Sequence, residues 1–129
     1  MNDPVEYLDL DDLVELAGRF LGDPPPIRDI GLLGSAAARP STTAFGQDAY
    51  PDLTTKAAAL LQSIVNNHAL VDGNKRLGWL ATAVFLEING VTASGLSNEA
   101  VYELVIWVAS SNPGLDEIVT RLGALLRQP

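Results

Sequence analysis

The sequence predicts an all-α fold, a compact helical bundle, on three observations. Apolar residues recur at three- and four-residue spacing along most of the chain. Most of these segments open on an acid or a hydroxyl that can cap a helix and close on Gly, Asn or Pro. Strand character is confined to two short stretches, 41–51 and 91–93. A chain of 129 residues fits one domain, taken here as 1–129, and is long enough to bury a core without metals or cross-links.

Asp9, Asp11 and Asp12 stand where a helix N-terminus favours negative charge, and Leu13, Val14, Leu16, Ala17, Phe20 and Leu21 follow at helical spacing up to Gly22. Asp23-Pro24-Pro25-Pro26 is a stiff, extended connector, because proline fixes φ and drives its predecessor out of the helical region. Asp29 caps a short helix through Leu32, Leu33, Ala36 and Ala37 that stops at Arg39-Pro40. Ser41 to Pro51 has no helical period and reads as a mobile loop or a short hairpin holding Phe45 and Tyr50.

Asp52 or Thr54 then caps a helix with Ala57, Ala58, Leu60, Leu61, Ile64 and Val65 on one face, running toward His68. Lys75 to Ile88 is apolar on almost every side, which places it at the centre of the bundle, and Asn89-Gly90 ends it. Ser97 caps a further helix through Val108, broken by Asn112-Pro113-Gly114, and Leu115 to Leu126 forms the last. Val91-Thr92-Ala93 is the one candidate strand outside the 41–51 loop.

Hydrophobic residues make up 47% and charged residues 19% of the chain, the balance of a folded protein. There is no cysteine, which excludes disulfides, thiolate metal sites and a cysteine nucleophile. The longest apolar run, Leu77 to Leu86, is too short to span a membrane, and the acidic N-terminus lacks the basic start of a secretory signal. A soluble cytoplasmic protein is expected. Eight Lys and Arg against sixteen Asp and Glu give a net charge of −8, which disfavours broad contact with a nucleic-acid backbone. A phosphate-bearing small ligand would need a local positive site, and Lys75-Arg76 provides one.

The informative string is His68-Ala69-Leu70-Val71-Asp72-Gly73-Asn74-Lys75-Arg76, between the end of one helix and the start of the next. A helix start exposes unpaired N–H groups and a positive dipole end, so a glycine-containing turn there suits an anion. Gly73 permits close backbone approach, Asn74 offers an amide, and Lys75 and Arg76 supply charge. Asp72 beside phosphates calls for a cation between them, which fits Mg²⁺ held by one carboxylate and the substrate's own phosphates. His68, the single histidine, suits proton removal from a hydroxyl because an imidazole titrates near neutrality. Each residue alone also has a structural reading, as a helix C-terminal partner, a turn or a solvated first turn. In this order they describe a phosphoryl or nucleotidyl transfer site.

The string resembles the core motif of the Fic/Doc superfamily, His-x-Phe-x-(Asp/Glu)-(Gly/Ala)-Asn-(Gly/Lys)-Arg, with Leu70 in place of the usual Phe. The flanks are similar too: Leu32 to Pro40 resembles the segment before the substrate-binding flap of Doc-type toxins, and Phe85 to Val91 the end of their central helix. The resemblance implies a Fic-like helical bundle with a short β-hairpin flap. It implies His68 as general base, Asp72 as the Mg²⁺ ligand, and Gly73, Asn74, Lys75 and Arg76 as the binding residues for ATP, with Lys75 and Arg76 also acting in catalysis.

Typical Fic enzymes transfer AMP and carry Gly at the Lys75 position and a second Arg where this chain has Trp79. Both differences are shared with Doc toxins, which bind ATP in the reversed sense and transfer its γ-phosphate. The resemblance therefore implies a Doc-type kinase acting on a Ser or Thr of elongation factor Tu, which would halt translation. AMP transfer by the same residues, and an inert binding module, are the alternatives. In the family the 41–50 segment would add a strand to the target peptide. No Ser or Thr here has Glu four residues later, so the inhibitory motif of many Fic enzymes is missing and inhibition in trans by a small antitoxin is expected.

Overall fold

Side-chain caps start four of the six helices in the computed structural model, which describes residues 4–128. Asp9, Asp29, Asp52 and Ser97 each accept the N–H of the residue three positions on, which satisfies a donor the helix itself cannot pair. They open α1 (Leu10–Phe20), α2 (Ile30–Ala38), α3 (Leu53–Asn67) and α5 (Asn98–Ser111). Helix α4 (Asn74–Ile88) starts at Gly73, and α6 (Leu115–Leu126) starts at Gly114 with the Glu117 carboxylate reaching back to the Gly114 N–H. A 3₁₀ turn, Arg39–Ser41, follows α2 and leads into a hairpin of β1 (Thr43–Ala44) and β2 (Gln47–Asp48). The fold is the expected all-α bundle with a short hairpin.

Helix α3, not α4, is the centre. Lys56, Ala57, Ala58, Ala59, Leu60, Leu61, Ser63, Ile64 and Val65 are all buried, and α2, α4, α5, α6 and the 3₁₀ turn all pack on α3. Its three consecutive alanines let neighbours approach on several sides, a property hidden from a hydrophobicity reading because alanine is only weakly apolar. Helix α4 buries Leu77, Gly78, Ala81, Thr82, Phe85 and Leu86 and leaves Trp79, Leu80 and Val84 partly exposed. Gly78 lets α4 approach α3 closely: a Cβ there would lie 2.7 Å from Val65 Cγ2.

The strand expected at Val91-Thr92-Ala93 is not formed. The Glu87 carboxylate accepts the N–H groups of both Ala93 (2.9 Å) and Ser94 (3.0 Å), so a side chain takes the donors a partner strand would have used. The proline connector bends at Asp23–Pro24 before Ile27 pairs with Leu70 in an isolated antiparallel bridge. At the hairpin tip Phe45 and Gly46 both have positive φ, 54° and 76°, the signature of the tight turns that match strand twist.

Two cations hold the foot of the hairpin. Arg39 donates from Nε to the Tyr50 hydroxyl (3.2 Å) and from Nη1 to Gln62 Oε1 (2.7 Å), Ser63 Oγ (3.0 Å) and the Ala59 carbonyl (3.2 Å), all on α3 apart from Tyr50. Tyr50 is therefore committed to Arg39 rather than free on the flap. Lys56 is 1% exposed, and its Nζ lies 3.1 Å from Asp48 Oδ2 and 5.7 Å from the centre of the Tyr7 ring. Burial, the largest influence on this ammonium, pushes its pKa down, but hydrogen bonds and charge from Asp48 and Tyr7 outweigh burial and raise it above 10.5.

A lysine whose folded pKa exceeds its unfolded value stabilises fully below the unfolded pKa and loses that contribution as pH rises through the folded one. Melting temperatures taken from about pH 9 upward should fall more steeply for the wild type than for Lys56→Met, the difference opening above about pH 10.5. Gly78→Ala should cost about 1–3 kcal/mol by forcing α3 and α4 apart, seen as a thermal midpoint lowered by roughly 3–10 °C.

Candidate active site

Helix α3 ends at His68, whose backbone turns left-handed (φ 56°, ψ 42°) and breaks the helical ladder. The carbonyls left open there find donors outside the helix. The Arg28 guanidinium donates to the His68 carbonyl, and the N–H groups of Arg28 (2.8 Å) and Asp29 (3.0 Å) share the Ala69 carbonyl. The Val71 N–H donates to the Pro26 carbonyl (2.9 Å), so the proline connector acts as a second strand along the loop.

Asn74 closes the turn from the other side. Its Oδ1 accepts the Leu70 N–H and its Nδ2 donates to the Leu70 carbonyl, both at 3.0 Å, so one carboxamide satisfies both backbone groups of Leu70. The side-chain amide expected to face phosphate is engaged in the loop; what Asn74 can still turn toward an anion is its backbone N–H in the first turn of α4. Leu70 is 2% exposed, and the smaller side chain at the usual Phe position is fully packed. Gly73 is favoured by its backbone, whose φ of 90° is left-handed; a Cβ there would also press on the end of the Leu21 side chain, Cδ1 at 2.9 Å, which would have to shift.

Around this turn lies a cleft of about 670 Å³ that gathers His68, Asp72, Gly73, Asn74, Lys75 and Arg76, the whole set read from the sequence. Leu21, Pro26, Val65, Asn66, Val71 and Ala109 complete its wall. His68 is exposed, and among the described residues its ring makes no hydrogen bond, so both nitrogens are open to a ligand. Lys75 and Arg76 are exposed and have no carboxylate partner among the described residues. Two unpaired cations thus stand on the positive end of a 15-residue helix.

Asp72 is exposed, and its Oδ1 accepts the Gly73 N–H at 2.9 Å. No group of three or more His, Asp or Glu that could enclose a metal occurs among the described residues. One carboxylate fits a Mg²⁺ that arrives with phosphates as its other ligands and does not fit a resident metal centre.

A second groove, about 510 Å³, begins at the same Lys75 and Arg76 and runs between α4 and α5 past Trp79, Leu80, Val101, Tyr102 and Val105. It is mostly apolar, and His68 is not part of it. The sequence reading missed this groove, and it missed Arg28, because both depend on segments distant in the chain. Phe45 and Tyr50 do not line the cleft.

The sequence profile of the Fic/DOC family matches residues 7–86, which include α1 to most of α4 and the whole His68–Arg76 turn. The chain belongs to the Fic/DOC family. Proteins of this family are typically transferases with a nucleotide substrate. The chain is also 48% identical over 118 residues to a protein of Mycolicibacterium smegmatis named Toxin Doc, a match covering 91% of each chain. That similarity reaches past the family profile into α5, which forms one wall of the α4–α5 groove. No helix among the described residues is long and apolar enough to cross a membrane.

Asn74→Ala leaves the part-buried N–H and carbonyl of Leu70 without partners and should cost about 1–3 kcal/mol. Chemical denaturation measures the loss, and faster amide exchange confined to residues 69–74 would identify the turn as its source.

Proposed function

We propose that this Fic/DOC chain is a Doc-like toxin of a toxin-antitoxin pair and transfers the γ-phosphate of ATP to a Ser or Thr hydroxyl of a protein. The observation that carries this reading is the sharing of Lys75 and Arg76 between two spaces of different chemistry. The α4–α5 groove is apolar and suits a nucleoside, with Trp79 offering an aromatic face. The cleft is polar and holds His68. A nucleotide with its base in the groove runs its phosphates across Lys75, Arg76 and the N-terminus of α4, so its terminal phosphate is the one that reaches His68. The reversed placement would put charged phosphates against Trp79, which cannot neutralise them.

In this arrangement His68 accepts the proton of the target hydroxyl while the hydroxyl oxygen forms a bond to the γ-phosphorus. The bond from that phosphorus to the β–γ bridging oxygen breaks, and ADP leaves. Lys75, Arg76, the Gly73 backbone and the open N–H groups of α4 stabilise charge on the phosphoryl oxygens, as phosphoryl transfer requires. Asp72 would hold Mg²⁺ that accompanies ATP, which supplies further positive charge against the phosphates. The hairpin would align an extended target segment by backbone pairing.

Elongation factor Tu is the proposed target and a small antitoxin binding in trans the proposed inhibitor. With a net charge of −8 on the toxin, apolar anchors rather than charge attraction would dominate the antitoxin contact.

Incubation with Mg²⁺, elongation factor Tu and ATP labelled at the α or the γ position tests the reading. Label from the γ position alone on the target supports it; α-label identifies an AMP transferase. No transfer, with no nucleotide-dependent rise in melting temperature, identifies an inert module, since ATP at 100 times its Kd should add about 2.7 kcal/mol. His68→Ala should lower the transfer rate by about 10²-fold or more without abolishing nucleotide binding.

A further inference from the structure

The buried ammonium of Lys56 has no part in the proposed chemistry, yet lysine is almost never fully buried unless it is paired. Its one carboxylate partner among the described residues, Asp48, belongs to the hairpin. Both strands of that hairpin are two residues long and exposed throughout, and Phe45 at the tip is 105% exposed. No side chain of Thr43 to Gln47 enters the core. A two-stranded hairpin without an apolar face is marginal in water, so something other than hydrophobic burial must orient it.

We propose that Lys56 and Asp48 are a positioning pair that sets the hairpin against the bundle and thereby governs affinity for the protein substrate without touching nucleotide. Lys56 is the fourth residue of α3, and its Nζ also donates to the Pro40 carbonyl at 3.4 Å, so one ammonium links the central helix, the turn before β1 and the end of β2. The Arg39 cluster fixes the 3₁₀ turn and Tyr50, which flank the hairpin on either side. Asp48 is the residue of the strands themselves that is tied to α3. Removing its charge leaves the Arg39 cluster intact and frees the strands. A buried cation also has little freedom to find another carboxylate, and leaving the pair costs it the one opposite charge that offsets its lost hydration among the described residues. Aromatic Phe45, held in a left-handed conformation that other residues adopt more cheaply, is carried at the end of this arm.

The inference rests on the reading of the hairpin as the docking strand for the target, and the experiment separates the two. Amide exchange of residues 43–49 is measured with steady-state transfer from γ-labelled ATP to elongation factor Tu. The proteins are wild type, Asp48→Asn, Asp48→Glu and the double variant Lys56→Met/Asp48→Asn, which leaves no unpaired buried charge. Both variants lacking the carboxylate should exchange hairpin amides about tenfold faster. Their KM for elongation factor Tu should rise about fivefold or more, with KM for ATP and kcat held within about twofold. Asp48→Glu, which keeps the charge, should return both quantities toward wild type. Unchanged exchange in the double variant, or a loss that falls on KM for ATP or on kcat, overturns the proposal. If wild type transfers no label to elongation factor Tu, that target assignment fails, and the exchange measurement still decides whether the pair holds the hairpin.

Discussion

The carboxamide of Asn74 and the backbone of Leu70 form a pair on which the rest of the site depends. Two hydrogen bonds, donor to acceptor in each direction, imitate a rung of β-sheet on the edge of Leu70 that its bridge to Ile27 leaves open. They fix the direction in which α4 leaves the loop, and therefore where the unpaired N–H groups of its first turn, Lys75 and Arg76 point. The same device recurs at the far end of the helix, where Asn89 accepts the Glu6 N–H and donates to the Glu6 carbonyl, both at 2.9 Å. Helix α4 is thus clamped at both ends by asparagines acting as backbone surrogates, one to the His68–Arg76 turn and one to the N-terminal segment.

Helix α3 separates two tasks along its length. Near its start Lys56 answers to the hairpin, and in its middle Gln62 and Ser63 answer to Arg39. At its end His68 leaves the helix with a left-handed backbone held by Arg28 and the 26–29 segment. Because the same helix is packed on by α2, α4, α5 and α6, both ends are referenced to one rigid element. A site assembled at a helix terminus gains orbital and electrostatic direction from the helix, and a loop pinned by backbone bonds on both sides keeps that direction when the ligand leaves.

Features that depend on neighbours in the chain are legible in the sequence. Asp9, Asp29, Asp52 and Ser97 announce helix starts because a cap acts within three residues, and His68 to Arg76 is contiguous, so order alone brings its members together. Arg28 lies 40 positions from the carbonyl it caps, and nothing near it in the sequence marks it out. Lys56 stands among alanines and looks like a solvated helix charge; only the packing of the hairpin end against α3 makes it a buried one. Val91-Thr92-Ala93 fails as a strand for the converse reason, since β propensity is local but the partner it needs is not, and Glu87 takes its amides first. The centrality of α3 was hidden in its alanines, which permit close packing without signalling it.

The chain's charge makes the location of an anion site unusually constrained. Eight cations face sixteen carboxylates, and several cations are committed elsewhere: Arg19 to Glu15, Arg39 to α3 and Tyr50, Lys56 to Asp48, Arg28 to a carbonyl, and Arg121 to the face of Trp107 at 4.4 Å. Lys75 and Arg76 are adjacent, exposed and unpaired among the described residues, and they sit where a helix dipole adds to their field. The net charge of −8 repels a phosphorylated ligand from the molecule as a whole, an effect that falls off within about a Debye length, roughly 8 Å at physiological salt. The acidic balance that argues against nucleic acid therefore sharpens, rather than weakens, the case for one small phosphorylated ligand: repulsion elsewhere directs it to the place where, among the described residues, two adjacent unpaired cations and an open helix end coincide.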